Sequence, residues 1–368
     1  MTGEGASSRT RPPAVSDWPQ SPATAVAKVL RVPDRYRRFT VHKSSVAQLY
    51  GINEESLDQL LSLGLPCRGS RFDRLDLDNI GLALRLPCMR NKAMRWWSRS
   101  LIQSRVRPLA DTVRIQARCP LPGHPGDCNF ALAAELADTL IAREEQGPSA
   151  VWFKIRISLT ASTWVFGPPF SDLFKRVLPL EFHLLPPPLA EDLGFLASTG
   201  LAECRLATVF LVSEAAEVGL PVRAARGIFV ANPYPVEHSW IECQVDDGRW
   251  VAADPFLLNA FVRWEIIGGP EWTINCSSQS VMWRTGAPDG RLVTHRGHPA
   301  PYLLTVGLFP ERLRKAPGGQ APGKTSATNS RIDCRRNMSS GEISMPNSSA
   351  IRLASSIMVM ESAPRLPR

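Results

Sequence analysis

The chain has 368 residues, 44% of them hydrophobic, and a formal net charge of +9. This length and apolar content suffice for one large domain or two modest ones, and they exclude a chain that is disordered throughout. The charge does not by itself indicate a nucleic-acid-binding protein, because residues 311–368 hold ten Lys/Arg against four acidic residues and carry +6 of it.

Composition predicts a flexible segment at each end of the chain. Residues 1–36 form a leader rich in Ser, Pro, Thr and Arg, and residues 311–368 form a disordered basic tail. The leader lacks the apolar stretch of a secretion signal, and charges and prolines interrupt the most apolar run, 151–170, which excludes a membrane span there. The eight cysteines contain no CxxC pair, which favours reduced thiols. We therefore expect a cytoplasmic protein that does not contact a membrane.

Residues 37–105 have a helical pattern and predict a small N-terminal helical domain. Asn53 is a good N-cap for the second helix, and Glu54 and Glu55 complement the positive end of its dipole. Two short helices around a turn at Gly51 have the helix-turn-helix outline, and in outline they resemble the small domains of regulators and excisionases. The predicted helices cover residues 45–50, 54–63, 76–86 and 94–103.

A DNA-reading role for this small domain has little support in its second helix. The helix begins Glu54-Glu55-Ser56 and is acidic, whereas a helix that reads the major groove is usually basic or polar. DNA is therefore an open but unsupported partner. A module that holds a peptide or docks on the second domain fits the sequence at least as well.

Residues 106–310 predict a second domain, which includes a helix over residues 130–144. Before that helix, a proline-rich loop contains Cys119, His124 and Cys128. A structural zinc site normally has four ligands, and these spacings do not match the usual gap between paired cysteines. The sequence therefore favours a loop with incidental thiols, and we predict no metal and no cofactor.

The strongest candidate for chemistry is Cys204. A helix is predicted over residues 203–218, ended by Gly219 and Pro221, with Cys204 in its first turn. The positive end of a helix dipole lowers the pKa of a thiol, and the thiolate is the reactive form of cysteine. The pattern thus predicts a nucleophile at Cys204, although an isolated cysteine in an apolar helix is by default a core residue.

His238 and Asp254 follow on strands that the sequence predicts to pair. Residues 222–231 and 238–245 are strand-like, and Asp246-Asp247-Gly248 predicts a hairpin that returns Asp254 to His238. A carboxylate at that place orients an imidazole that acts as a base. Trp240 is expected against the imidazole or in the cleft wall, where it would contact substrate. A core histidine and a turn aspartate are the ordinary alternatives.

Several linked motifs occur in one order along this segment. They are Cys204 with Ala207, Gly219-Leu220-Pro221-Val222-Arg223 leading to Gly227, His238-x-Trp240-x-Glu242, and Trp250-Val251-Ala252-Ala253-Asp254-Pro255. Together they resemble the transglutaminase-like superfamily of papain-fold thiol enzymes. The resemblance implies an α+β fold in which a central helix carries the cysteine against an antiparallel sheet carrying the histidine and the aspartate. It also implies Cys204 as nucleophile, His238 as general base and acid, and Asp254 as orienting carboxylate.

These residues predict an enzyme that attacks an amide or ester of a peptide or carrier-bound substrate and forms an acyl-thioester. Water as acceptor would give a cysteine protease or amidase, and an amine would give an acyltransferase. The sequence leaves the substrate, the acceptor and the oligomeric state open. The alternative is a DNA-binding or peptide-docking regulatory protein with a catalytically degenerate domain.

Overall fold

The computed structural model describes residues 19–232, 234–286 and 291–306, and the 311–368 tail lies outside these ranges. The fold is mixed α+β with several antiparallel sheets, as the sequence predicts. Helices α1 to α9 are Pro22–Val29, Lys43–Tyr50, Glu54–Ser62, Arg74–Ala83, Met89–Ser104, Phe170–Phe174, Leu193–Thr199, Cys204–Glu217 and Pro255–Arg263. In the part of the chain that the structure describes, every helix is too short or too polar to cross a membrane.

Within the described ranges, the strands form five sheets. Strands β1 to β16 are Phe39–His42, Cys67–Arg68, Arg71–Asp73, Leu109–Arg118, Phe130–Leu132, Leu140–Glu145, Ala150–Leu159, Glu181–Phe182, Leu201–Ala202, Val222–Phe229, Val236–Gln244, Trp250–Ala253, Met282–Arg284, Val293–His295, His298–Pro299 and Tyr302–Val306. The sheet orders are β1-β3-β2, β12-β11-β10-β13, β15-β14-β5, β16-β4-β7-β6 and the parallel pair β8-β9.

Helix α3 begins at residue 54, as the sequence predicts, whereas α2, α4 and α5 begin at residues 43, 74 and 89, before the predicted starts at 45, 76 and 94. The Asn53 side chain accepts a hydrogen bond from the Ser56 N–H at 2.8 Å, which confirms the N-cap of α3. The predicted leader, however, is too long. Residues 22–29 form α1, which buries Ala25, Val26 and Val29 in the apolar core of the N-terminal helices, together with Leu57 and Ile80. The Ser- and Pro-rich composition obscured this short apolar stripe, and the first 18 residues of the leader lie outside the described ranges.

Helix α5 joins the small N-terminal part to the rest of the molecule. Met94 and Leu101 share a core with Phe229 and Phe261, and the Trp97 indole N–H donates to the Tyr234 carbonyl at 2.8 Å. The predicted boundary at residue 105 therefore does not separate two independent cores. Helix α5 packs as a wall of the second unit.

The sheet β12-β11-β10-β13 supports the region of greatest interest. Strands β11 and β12 pair antiparallel with Ile241 opposite Ala253, and the Gly248 N–H donates to the Val245 carbonyl at 2.8 Å. This confirms the predicted hairpin. Helix α8 packs against β10 and β11, and Cys243 is fully buried as expected.

The prediction of a helix over residues 130–144 is wrong. This segment contains β5, a 3-10 helix at Ala134–Thr139 and β6. Phe130 pairs with His295 of β14, and β6 pairs with β7. Long-range pairing and burial of the Leu136 side chain thus override the helix propensity of an Ala-, Glu- and Leu-rich segment.

Candidate active site

Cys204 is the first residue of α8, as the sequence predicts. Glu203 is the N-cap, and its carboxylate accepts a hydrogen bond from the Arg205 N–H at 3.2 Å. Leu206, Ala207 and Leu211 are buried, so the helix is central to the core. Part of the Cys204 residue is exposed, whereas its thiol is buried together with the His238 and Asp254 side chains.

His238 and Asp254 meet through the pairing of β11 with β12. The register, Ile241 with Ala253, places Asp254 opposite Trp240 and makes it a diagonal neighbour of His238 on the same face. Strand pairing alone therefore does not set the two side chains directly opposite each other. The chain leaves the sheet at Asp254, which becomes the N-cap of α9, and there its Oδ2 lies 2.5 Å from His238 Nε2.

The three predicted residues come together. The Cys204 sulfur, a ring nitrogen of His238 and a carboxylate oxygen of Asp254 all lie within 4.8 Å of one another. Because Nε2 is engaged by Asp254, Nδ1 is the nitrogen through which His238 would take the thiol proton. The His238 and Asp254 side chains are about 5% exposed. Water would therefore screen poorly the thiolate–imidazolium pair that forms when the proton moves from Cys204 to His238.

The direction of the Cys204 pKa differs from the expectation. The helix N-terminus was expected to lower it, whereas burial raises the thiol pKa well above its usual value, and the charges of Asp254 and Glu203 raise it further. Loss of hydration of the thiolate outweighs the helix dipole, whose positive end is already partly neutralised by the carboxylate at the N-cap. A neutral thiol that passes its proton to His238 during attack is the state that this environment favours.

Arg90 acts on the site through its charge, an influence that the sequence does not reveal. It lies in the first turn of α5, is buried, and its charge acts to lower the Cys204 pKa. Its guanidinium lies 3.7 Å from the Asp78 carboxylate. The small N-terminal part thus contributes to the electrostatics of the thiol. No local motif marks Arg90, because its position depends on the docking of α5.

Trp240 lies behind the imidazole. Its ring is stacked on that of His238, with centroids 6.4 Å apart and planes 14° apart, and only 1% of the residue is exposed. A Cβ at Gly227 would lie 2.9 Å from the Trp240 ring and would also meet the backbone of β13. Gly227 therefore permits the close approach that holds Trp240 against His238, while contact of Trp240 with substrate stays a prediction.

A pocket lined by residues of α1, α4 and α9 together with His183 includes none of the three triad residues. The triad donors could also bind a metal ion. The direct hydrogen bond between His238 and Asp254, however, already uses the atoms that such an ion would need.

No protein-family model and no curated protein sequence matches the chain. The resemblance to transglutaminase-like enzymes thus has no support beyond the motifs and the geometry of the site.

Proposed function

We propose that this protein is a cysteine-dependent acyl-transfer enzyme of the transglutaminase-like type, with a papain-like core. The observation that carries the proposal is the convergence of Cys204, His238 and Asp254 within 4.8 Å. A helix that begins at the cysteine packs against the antiparallel sheet that carries the histidine. This is the arrangement that the resemblance implies.

The chemistry follows from the orientation of the three groups. His238 would take the proton from the Cys204 sulfur as the sulfur attacks the carbonyl carbon of an amide or ester, and Asp254 would stabilise the imidazolium that forms. His238 would then return the proton to the leaving amine or alcohol, which leaves an acyl-thioester on Cys204. The backbone N–H of Cys204, at the start of α8, is suited to the oxyanion because the first N–H groups of a helix have no acceptor within it; the next one, of Arg205, already donates to the Glu203 carboxylate.

The acceptor decides the reaction class. Water would make the protein a peptidase or amidase, and an amine would make it an amide-forming acyltransferase. We favour a peptide or a carrier-bound acyl group as the substrate.

Alkylation by limiting iodoacetamide tests the activation of the thiol. We expect Cys204 to react at pH 7 in the wild-type protein and at least about tenfold more slowly in His238→Ala, because the base that accepts its proton is gone. The modified cysteine is located by peptide mass spectrometry. Cys67, which is exposed and distant in sequence from the triad, is the internal reference, and its rate should be unchanged.

Equal rates of Cys204 alkylation in the wild-type protein and in His238→Ala would show that His238 does not act as the base for this thiol. The regulatory alternative, with a degenerate domain, predicts that result together with a salt-sensitive shift of DNA mobility that survives Cys204→Ala.

The small N-terminal part contacts the second unit directly, since Asn79 of α4 exchanges two hydrogen bonds with the Leu184 backbone, at 2.8 and 3.0 Å.

A further inference from the structure

A second cluster of cysteine and histidine side chains lies away from the candidate active site. Ligand atoms of Cys119, His124, Cys128 and His295 all lie within 4.8 Å of one another. The first three come from the loop between β4 and β5, and His295 ends β14. His295 is remote from the other three donors in the sequence and lies near the loop only through the pairing of β14 with β5.

His124 is already arranged as a metal ligand is. Its Nδ1 lies 3.1 Å from the Pro125 carbonyl, to which it can donate, and its Nε2 lies 3.3 Å from the Cys128 sulfur. A histidine that binds a metal through one ring nitrogen usually donates its other N–H to a carbonyl or carboxylate, which fixes the tautomer and the orientation. The lone pair of Nε2 then faces the centre of the cluster.

His295 supplies a second and independent observation. It is 5% exposed, and its Nε2 is buried without a hydrogen-bond partner among the residues that the structure describes. A buried ring nitrogen without a partner is costly, and a bound metal ion or water would satisfy it. The ring of His295 lies 5.1 Å from that of His124 and 4.9 Å from that of Phe130, centroid to centroid, which limits its rotation.

The loop is held to the β14–β15 hairpin by Arg296. Its guanidinium donates to the Pro125 carbonyl at 2.8 Å and to the Asp127 carbonyl at 2.9 Å, and its backbone N–H donates to Asn129 at 2.8 Å. At Gly126, which has a φ of +75°, a Cβ would lie 2.9 Å from this guanidinium. The backbone on both sides of the cluster is thus fixed without the aid of the four donors.

We propose that Cys119, His124, Cys128 and His295 bind one zinc ion as a structural site. Two thiolates and two imidazoles are the donor set that tetrahedral zinc prefers, with Zn–S bonds of about 2.3 Å and Zn–N bonds of about 2.0 Å. Such bonds separate neighbouring ligand atoms by about 3.3–3.8 Å, and the 3.3 Å between His124 Nε2 and Cys128 Sγ matches this. All four positions of the tetrahedron are filled by protein, so the site is structural and closed to substrate.

The zinc would join two segments that are far apart in sequence. The loop after β4 and the strand β14 contribute Cys119, Phe130 and Val293 to one apolar core. Metal binding would therefore stabilise the β15-β14-β5 sheet.

A disulfide between Cys119 and Cys128 is the rival explanation for the two neighbouring thiols. It would leave His295 Nε2 buried and without a partner, and it would require an oxidising compartment. Both cysteines are free thiols in the structure.

Cobalt(II) titration of the full chain under reducing, anaerobic conditions tests the site. Cobalt in a tetrahedral site with thiolate ligands gives intense visible absorption and thiolate-to-metal charge-transfer bands, which zinc then abolishes by displacement. The experiment is done on Cys204→Ala, so that the triad cannot contribute a thiolate. We expect one equivalent of cobalt to bind, and one equivalent of zinc to displace it.

Variants of His295 separate loss of a ligand from loss of the fold. His295→Ala should weaken cobalt binding at least tenfold, whereas His295→Cys should keep it and strengthen the charge-transfer bands, because a third thiolate replaces an imidazole. Cys67→Ser, at an exposed thiol outside the cluster, should bind as the parent does. Absence of tetrahedral bands in the parent, or a Cys119–Cys128 disulfide in protein purified under reducing conditions, would overturn the proposal.

Discussion

Asp254→Asn is the substitution that best separates the two electrostatic effects of this carboxylate. Asp254 Oδ2 lies 2.5 Å from His238 Nε2, where it would stabilise an imidazolium. The same charge raises the pKa of the Cys204 thiol and so opposes formation of the thiolate. The first effect should dominate, because it acts through a direct hydrogen bond and the second acts across a longer distance. The substitution therefore has a predicted sign as well as a size.

A hydrogen bond to a charged group contributes about 1.5–3 kcal/mol. Since about 1.4 kcal/mol corresponds to a factor of ten, Asp254→Asn should slow alkylation of Cys204 at pH 7 by roughly 10- to 100-fold. Asparagine can keep the N-cap of α9, in which Asp254 Oδ1 accepts the Leu257 N–H at 2.9 Å. The N-cap should therefore be retained, and the loss of stability in urea unfolding should not exceed the about 1.5–3 kcal/mol of the charged hydrogen bond to His238.

Asp73→Asn is a matched control. Asp73 is also buried and also caps a helix, α4, and its carboxylate accepts hydrogen bonds from the backbone N–H groups of Arg38, Leu75 and Asp76. This variant should leave the Cys204 alkylation rate unchanged. Faster alkylation in Asp254→Asn would mean that the carboxylate acts mainly by repelling the thiolate, and this would refute the orienting role assigned to it.

Three further predictions concern the surroundings of the site. Gly227→Ala should lower the free energy of unfolding in urea by about 2–3 kcal/mol, because the added Cβ would clash with the β13 backbone and the Trp240 ring. Gly268→Ala is the control and should be nearly neutral, since a Cβ there meets nothing within 4 Å. Equal losses of stability in the two variants would contradict the packing argument. Arg90→Gln should slow alkylation of Cys204 while Arg90→Lys largely preserves it, because the positive charge lowers the thiol pKa; an equal rate in all three proteins would exclude this role. Burial lowers the pKa of His183 from 6.5 to about 3. Below pH 6.5 the unfolded chain therefore binds a proton at His183 that the folded chain does not bind. The free energy of unfolding should fall as the pH falls. Relative to His183→Gln, the wild-type protein should lose about 1.4 kcal/mol per pH unit below pH 6.5, and parallel stability curves would show that His183 is protonated in the folded state.

The features predicted correctly from sequence depend on neighbouring residues. The start of α8 at Cys204 and the hairpin at Asp246-Asp247-Gly248 follow from capping, periodicity and turn chemistry, which act over a few positions. The helix and the hairpin together predict that His238 lies on one strand and that Asp254 follows at the end of the next strand. The precise encounter of the two side chains was not predictable, since it depends on where the chain leaves β12.

The features that the sequence missed depend on tertiary packing. The charge of Arg90 acts on the thiol only because α5 docks on the second unit, and His295 lies near Cys119 only because β14 pairs with β5. The sign of the Cys204 pKa shift was wrong for the same reason. A helix start is a local signal, whereas the loss of hydration that outweighs it depends on everything that packs around the sulfur.

Acylation of the protein by a simple activated ester tests the central claim most directly. With p-nitrophenyl acetate at pH 7, the account predicts one acetyl group on Cys204, which peptide mass spectrometry locates and hydroxylamine removes as expected of a thioester. The acetyl group should be absent from Cys204→Ser at the same reaction time and strongly reduced in His238→Ala. Acetylation of exposed Cys67 at a rate equal to that of Cys204, or no acetylation of Cys204 in the folded wild-type protein, would contradict the assignment of this chain as a thiol acyl-transfer enzyme.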